Sequence, residues 1–303
     1  MPTETAQSLI VVPTCNGLRD LRRLVASLPE DIDLFVIDSS SSDGTGEYLQ
    51  AQGIDHLVIA QSEFNHGATR QRALRERPGY AYYIYLTQDA CLAEPQALER
   101  LLAHFEDPQV GAVCGRQLPH PDANPLAAHA RYFNYPAPSR HKRLADAEEL
   151  GVKAAFMSNS FSAYRADALQ AADGFPAHVI LAEDMYVAAR MLQKGWTVAY
   201  AGDACCHHSH NYTPWQEFKR YFDTGVFHAS EPWIQDELGG VSGEGRRFVL
   251  SELRYLGKAH RVWWPASMLA TAMKLVGYHL GKRHSYLPPR LRQAFSMHRG
   301  YWN

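Results

Sequence analysis

Two adjacent acids, a third acid upstream and a histidine downstream carry most of the chemistry this sequence offers. Glu183 and Asp184 open a helical run, and His208 follows 24 residues after Asp184. Such a set can supply both a proton acceptor and a metal ligand. Upstream, Asp89 closes Tyr85-Leu86-Thr87-Gln88-Asp89, a hydrophobic strand running into a short acidic loop. A carboxylate there is a natural first ligand for Mg²⁺ or Mn²⁺, hard cations that prefer oxygen and bridge phosphates. Asp38 ends another apolar strand, where its carboxylate could accept the N3–H of uracil or thymine, a donor that cytosine lacks. All these residues also have ordinary uses. Ser-Ser-Asp-Gly-Thr is turn chemistry, and acids in a first helical turn complement the helix dipole. Cys205, Cys206, His207 and His210 crowd around His208, but neighbours along a strand face opposite ways. Structural zinc wants spaced pairs from two segments, so no zinc site is expected; His208 is taken ahead of His210 as the imidazole ligand.

The elements that must position these groups follow from hydrophobic patterning. Leu9 to Pro13, Leu34 to Asp38, His56 to Ile59 and Ala81 to Leu86 read as strands. Helical spacing appears at Leu18, Leu21, Leu24, Val25 and Leu28, again up to about Gln52, and again from near Gly67. Continuous apolar strands alternating with amphipathic helices predict an α/β, doubly wound, mostly parallel sheet covered on both faces. Ligands of such sheets sit beyond the carboxyl ends of the strands, which is where Thr14, Asp38 and Asp89 fall. Val110 to Cys114 and Met157 to Tyr164 are further expected strands, Glu183 to Gln193 a helix ended by Gly195, and Thr197 to Ala201 a short strand. Residues 117–150, rich in Pro, His and Arg with little periodicity, read as a long surface loop or mobile flap. Two regions are expected: 1–213, carrying the nucleotide and acceptor sites, and 214–303, helical, basic and rich in aromatics.

Composition narrows the classes. With 303 residues, 46% hydrophobic and 20% charged, the chain is an ordinary globular protein rather than a disordered one. Its net charge of −2 hides an asymmetry. Residues 246–303 hold eleven Lys and Arg against one acid, Glu252, which leaves −12 for the rest. A basic tail on an acidic body implies an anionic partner. The five cysteines form no CxxC pair, as expected of a reducing cytoplasm. No charged, hydrophobic leader opens the chain, and the best apolar stretch, Val262 to Leu280, is broken by Pro265, Lys274 and His279.

Taken in order, these motifs resemble the inverting glycosyltransferases of family 2, with the A-type nucleotide-sugar fold. Gly174-Phe175-Pro176, Ala182-Glu183-Asp184, Arg190 and Gly195-Trp196 resemble that family's acceptor-side signature. The resemblance implies Asp184 as the general base, Glu183 and Trp196 on the acceptor side, and Asp89 with His208 as metal ligands. The family's usual Asp-x-Asp is here Thr87-Gln88-Asp89, with only the last acid kept. Phe64 to Arg70 also resembles the family: Gly67 allows a close backbone approach at a helix N-terminus, and Arg70 reaches a diphosphate or orients Asp38. Thr14, Asn16 and Gln88 complete the expected nucleotide site. Asn65 to Arg70, Leu86 to Ala90, His208 to Tyr212, Glu244 to Phe248 and Leu256-Gly257-Lys258 together resemble bacterial rhamnosyltransferases of O-antigen and surface-polysaccharide assembly. That likeness implies dTDP-L-rhamnose as donor, with UDP-sugars as the alternative, and a saccharide or lipid-linked saccharide as acceptor.

Other classes fit less well. A nucleotidyltransferase would carry a Gly-rich, Arg- or Lys-bearing loop after the first strand, and Pro13-Thr14-Cys15-Asn16-Gly17 is not one. A catalytically weak sugar-nucleotide binder would account for the missing acid. Nucleic acid is not an expected partner. Trp263, Trp264, Tyr278, Tyr286, Tyr301 and Trp302 beside the basic residues point to an anionic membrane surface at the inner face of the cytoplasmic membrane. The alternative is a homo-oligomer or a tail packed on the catalytic region.

Overall fold

Alternation along the first strand decides the architecture. Leu9 and Val11 enter one apolar cluster while Ile10 and Val12 enter another, so the sheet is buried on both faces. The computed structural model describes residues 7–240 and 243–302; residues 1–6, 241, 242 and 303, which fall within the two expected regions, lie outside the described residues. The strands are β1 (Ser8–Thr14), β2 (Asp33–Asp38), β3 (Asp55–Val58), β4 (Tyr82–Leu86), β5 (Cys91–Leu92), β6 (Val110–Leu118), β7 (Arg140–Lys142), β8 (Phe161–Arg165) and β9 (Thr197–His207). They form one sheet in the order β3-β2-β1-β4-β8-β6-β9-β5, with β7 pairing β9 at its side. β1, β2, β3 and β4 are mutually parallel, as are β6 and β9. β8 runs antiparallel between these two groups. The carboxyl ends of β1, β2, β4, β6 and β9 and the start of β8 therefore share one edge.

Helices cover both faces: α1 (Leu18–Ser27), α2 (Thr45–Ala51), α3 (His66–Glu76), α4 (Ala97–Ala103), α5 (Pro125–Asn134), α6 (Ala147–Leu150), α7 (Ala166–Ala171) and α8 (Glu183–Gln193). The C-terminal region is helical, as its sequence implies: α9 (Pro214–Ser230), α10 (Pro232–Leu238), α11 (Glu244–Leu256), α12 (Trp264–Gly281) and α13 (Pro289–Phe295). α9 starts with Thr213 as N-cap, Pro214 in the first turn and Gln216 returning the capping bond. α9 and α12 pack closely because Gly277 and Gly281 lie against backbone. A Cβ at either would sit 2.3 Å from the Phe218 carbonyl oxygen or 2.0 Å from that of Phe222.

Three expectations need correction. Residues 117–150 are not a loop: Asn124 caps α5 by accepting the Ala127 N–H, Pro125 fits its first turn, and β7 adds to β9. Small and polar residues (Ala127, Ala128, His129) form the buried side of α5, which is why no apolar period marks it. The strand expected from Met157 begins only at Phe161, after a turn that holds Asn159. The short strand expected to end at Ala201 continues through Cys205 and Cys206 to His207.

Candidate active site

The common edge of the sheet opens into two adjoining cavities. The larger, about 600 Å³, is lined by Gln88, Asp89, Asp184, His208 and His210 among others. The smaller, about 390 Å³, lies over Thr14, Ser39, Phe64 and Arg70. His66, Thr87 and Gln88 line both, so they form one cleft with two compartments.

Asp89 sits at the turn after β4 with two imidazoles facing it. His208 Nε2 is 3.5 Å and His210 Nε2 3.6 Å from its Oδ2. The ligand atoms of the three residues all lie within 4.8 Å of one another. The structure thus brings His210 in beside His208, where one imidazole was expected. The tautomer of His208 is fixed by its neighbour. Gln117 Oε1 accepts an N–H from Arg131 and lies 2.9 Å from His208 Nδ1, so Nδ1 carries the hydrogen and Nε2 keeps its lone pair toward Asp89. Burial pushes the His208 pKa down to about 3 and lowers that of His210, so both rings are neutral near pH 7. Burial works against ionisation of Asp89, but the two facing histidines, which take up protons only in acid, where the carboxyl titrates, prevail and its carboxyl is held below the ordinary range. One carboxylate and two neutral imidazoles are a donor set that fits a divalent cation, and imidazole suits Mn²⁺ better than Mg²⁺.

The acid pair at the start of α8 is split between two tasks. Ala182 takes a left-handed backbone, φ 60°, immediately before it. Glu183 points inward: its Oε1 is 3.0 Å from Arg70 Nη1 and accepts Asn159 Nδ2–H at 2.9 Å. Burial opposes its ionisation, but the Arg70 guanidinium, His66 and the Asn159 hydrogen bond together outweigh burial and hold its carboxyl below the ordinary range. The expectation of an acceptor-side Glu183 is replaced by a buried ion pair. Arg70 is committed to that pair and to the His66 carbonyl at 2.9 Å, and does not orient Asp38. Asp184 faces the large cavity. Its Oδ2 accepts the Asn159 backbone N–H at 3.0 Å and its Oδ1 that of Met185 at 2.7 Å. Burial, reinforced by the charge of Glu183, raises its pKa to about 7. A carboxylate so tuned has the basicity that general-base chemistry needs near neutral pH.

The remaining expected residues fall in three groups. Gln88 Oε1 accepts from the Thr14 hydroxyl at 2.7 Å and the Cys15 N–H at 2.9 Å, tying the loops after β4 and β1 together in the small cavity. Asp38 ends β2, but its carboxylate accepts the Ser41 N–H and hydroxyl within its own loop, and the residue is 2% exposed. Asn16 braces the same loop: its N–H donates to Ser41 Oγ and its Oδ1 accepts the Ser42 N–H. Gly67 does make a close approach, but to protein. A Cβ there would sit 1.8 Å from the Pro176 carbonyl oxygen. Trp196 lies away from the others. The 11 residues of α8 carry the chain about 16 Å along the helix, so Trp196 emerges at the far end of β9, packed over Gly111.

Several contributors were missed. Asn159 holds both acids through its backbone and side chain, and its Oδ1 accepts from Ser162 and Tyr164 hydroxyls. Its one signal was an Asn inside an expected strand. Gln117 and Arg131 orient His208 from a stretch read as loop. Glu217, Arg220, Lys274 and His298, from the C-terminal region, line the large cavity with Asp184. His66 Nε2 meets His298 Nδ1 at 3.2 Å.

Residues 9–172 match the Glycosyl transferase family 2 profile. The chain is 52% identical over 270 residues to an O-antigen chain rhamnosyltransferase, WbaN, of Salmonella anatum, covering 89% of this chain and 86% of that protein. It is also 52% identical to O-antigen chain rhamnosyltransferase RfbN of Salmonella typhimurium, with the same coverage. Among solved structures, it resembles the mannosyltransferase PcManGT from Pyrobaculum calidifontis, solved in complex with GDP-Man and Mn²⁺. That match has a TM-score of 0.59 and 16% identity, and covers 91% of this chain and 88% of the other. It also resembles S. aureus TarS with UDP-GlcNAc, at a TM-score of 0.53 and 12% identity, covering 92% and 91%. The fold is thus the A-type glycosyltransferase fold, and the chain is a glycosyltransferase belonging to family 2.

Proposed function

We propose that this enzyme transfers L-rhamnose from dTDP-L-rhamnose, with inversion, to a hydroxyl of a lipid-linked saccharide at the cytoplasmic face of the membrane. The observation that carries the reading is Asp184: a buried carboxyl with a pKa near 7, held by two backbone N–H groups in the same cavity as the Asp89, His208 and His210 cluster. Asp184 takes the proton of the acceptor hydroxyl as its oxygen bonds to the anomeric carbon, while the bond to the nucleoside diphosphate breaks on the opposite face. A divalent cation bound at Asp89, His208 and His210 would neutralise charge on the departing diphosphate. The small cavity beside Thr14, Gln88 and Ser39 suits the nucleoside, with Asp38 reorganising from Ser41 to accept the N3–H of thymine. The two Salmonella relatives, each named an O-antigen chain rhamnosyltransferase, support rhamnose as the transferred sugar and a saccharide as acceptor. In this scheme residues 1–213 handle the nucleotide sugar, and 214–303 complete the acceptor wall.

The test is a donor-hydrolysis and transfer screen with dTDP-rhamnose, UDP-sugars and GDP-mannose, each with Mn²⁺, Mg²⁺ or chelator. Selective use of dTDP-rhamnose supports the reading. A preference for a UDP- or GDP-sugar overturns the donor assignment.

A further inference from the structure

Helix α12 has two unlike faces. Toward α9 it presents Gly277 and Gly281, and on the same inner side Ala270 and Lys274 line the large cavity with Asp184. Its outer side is apolar and open to solvent. Met268 is 68% exposed, Leu269 54%, Leu275 60% and Val276 49%, with Trp264 at 43% and Val262, just before the helix, at 77%. Met268 and Leu275, and Leu269 and Val276, are each seven residues apart, two helical turns, which puts the four on one stripe. The helix is 18 residues, about 27 Å, long. A soluble helix normally turns such a stripe toward the core.

Charge selects what covers it. Exposed Lys258 and Arg261 stand before the helix, and Lys282, Arg283 and Arg290 after it, with Tyr286 87% exposed among them. Glu252, the single acid of residues 246–303, is 3% exposed and turned inward to Ser267 and His129, so it does not offset this surface. A second copy would bring the same cations face to face. Among the described residues, no helix is long and apolar enough to cross a membrane, so insertion lengthwise is not the use of this stripe.

We propose that the outer face of α12 lies in the headgroup region of an anionic bilayer, its side chains reaching the upper acyl chains and its flanking cations on lipid phosphates. This deepens the acceptor reading above and rests on it. The same helix walls the cavity of Asp184, so docking turns that cavity to the saccharide end of an acceptor anchored in the same bilayer.

The test pairs flotation with catalysis, using wild type and the double variant Met268→Glu/Leu275→Glu, whose two positions lie outside the cavity. Phosphatidylcholine vesicles with and without phosphatidylglycerol are the probes. Wild type should float with the anionic vesicles only and be released by salt. The variant should lose about tenfold or more in binding, since two exposed apolar side chains that would enter the bilayer become charged. It should hydrolyse donor as wild type does, but transfer less to a lipid-linked acceptor in those vesicles. Equal flotation of both proteins, or none by wild type, overturns the proposal. So does a wild-type dimer in solution that the variant dissociates, which would make the face an interface between copies. If neither protein hydrolysed dTDP-rhamnose, the donor assignment would fall while flotation still decided the docking face.

Discussion

Replacing Asp184 by Asn exposes both the chemistry of the site and what it costs the fold. The carboxyl titrates at about 7 in the folded protein, first because it is buried and then because Glu183 is charged. In an unfolded chain an aspartate titrates near 3.9. Between about pH 4 and 7 the unfolded chain has released this proton and the folded chain has kept it, so stability falls as pH rises through that window. The slope is about 1.4 kcal/mol per pH unit, and the full penalty, on the order of 4 kcal/mol, is reached above pH 7. Asparagine removes the slope. It also has one acceptor oxygen where Asp184 uses two, for Asn159 and Met185. One backbone N–H then faces an amide NH₂, a loss of about 1–3 kcal/mol. The variant should therefore match or fall below wild type at pH 5, and exceed it by about 1–3 kcal/mol at pH 8. Urea unfolding of both proteins from pH 5 to 8 measures the difference, in which the other titrating groups largely cancel. Turnover should drop by about 10²–10⁴, and the wild-type rate should rise with pH to a plateau above about 7. Parallel stability profiles would refute the raised pKa, and near wild-type turnover would refute the base.

Glu183→Gln should shift the acid limb of the wild-type rate profile to lower pH, because the charge that helps raise Asp184 is gone. It should also destabilise the protein by about 3–5 kcal/mol, since Arg70 is left buried without its carboxylate; an unmoved limb would show that Glu183 does not reach Asp184. Asp89→Ala should abolish metal-stimulated activity, and His208→Ala and His210→Ala should each weaken metal binding about 10–100-fold, read by calorimetry with Mn²⁺ and dTDP. Full activity after exhaustive chelation would show that the cluster serves the protein alone. Asp38→Asn should weaken dTDP and UDP binding relative to CDP; equal affinity of the unaltered enzyme for all three would leave Asp38 as the turn residue its bonds to Ser41 describe.

What could be read from sequence divides by the range of the interaction. β1, β2 and β4 announce themselves because burial on both faces makes their central residues apolar, and α8 because its period and Gly195 are local. The helix over Pro125–Asn134 was hidden because its buried side is Ala and His rather than Leu or Val. Asn159, Gln117 and Arg131 act through partners distant in sequence, and no spacing encodes those pairings. The cavity wall from Arg220 and Lys274 exists only because glycines let α12 approach α9 closely enough to close over the sheet edge. A boundary at residue 213 follows composition, whereas the cavity is built from both sides of it.

The pair Glu183-Asp184 shows where local reading stops. Successive residues of a helix are rotated by about 100°, so two neighbouring carboxyls at its start point different ways. Burial resists ionisation of both, and the side on which a cation stands separates them. Arg70 reaches Glu183, which stays charged and inert; no cation reaches Asp184 as closely, and the fixed charge beside it raises its pKa toward neutrality. In the proposed mechanism the ion pair therefore acts on catalysis without touching the substrate. In that mechanism, which acid of the two becomes the base is decided by an arginine more than a hundred residues earlier, and the motif alone does not contain that decision.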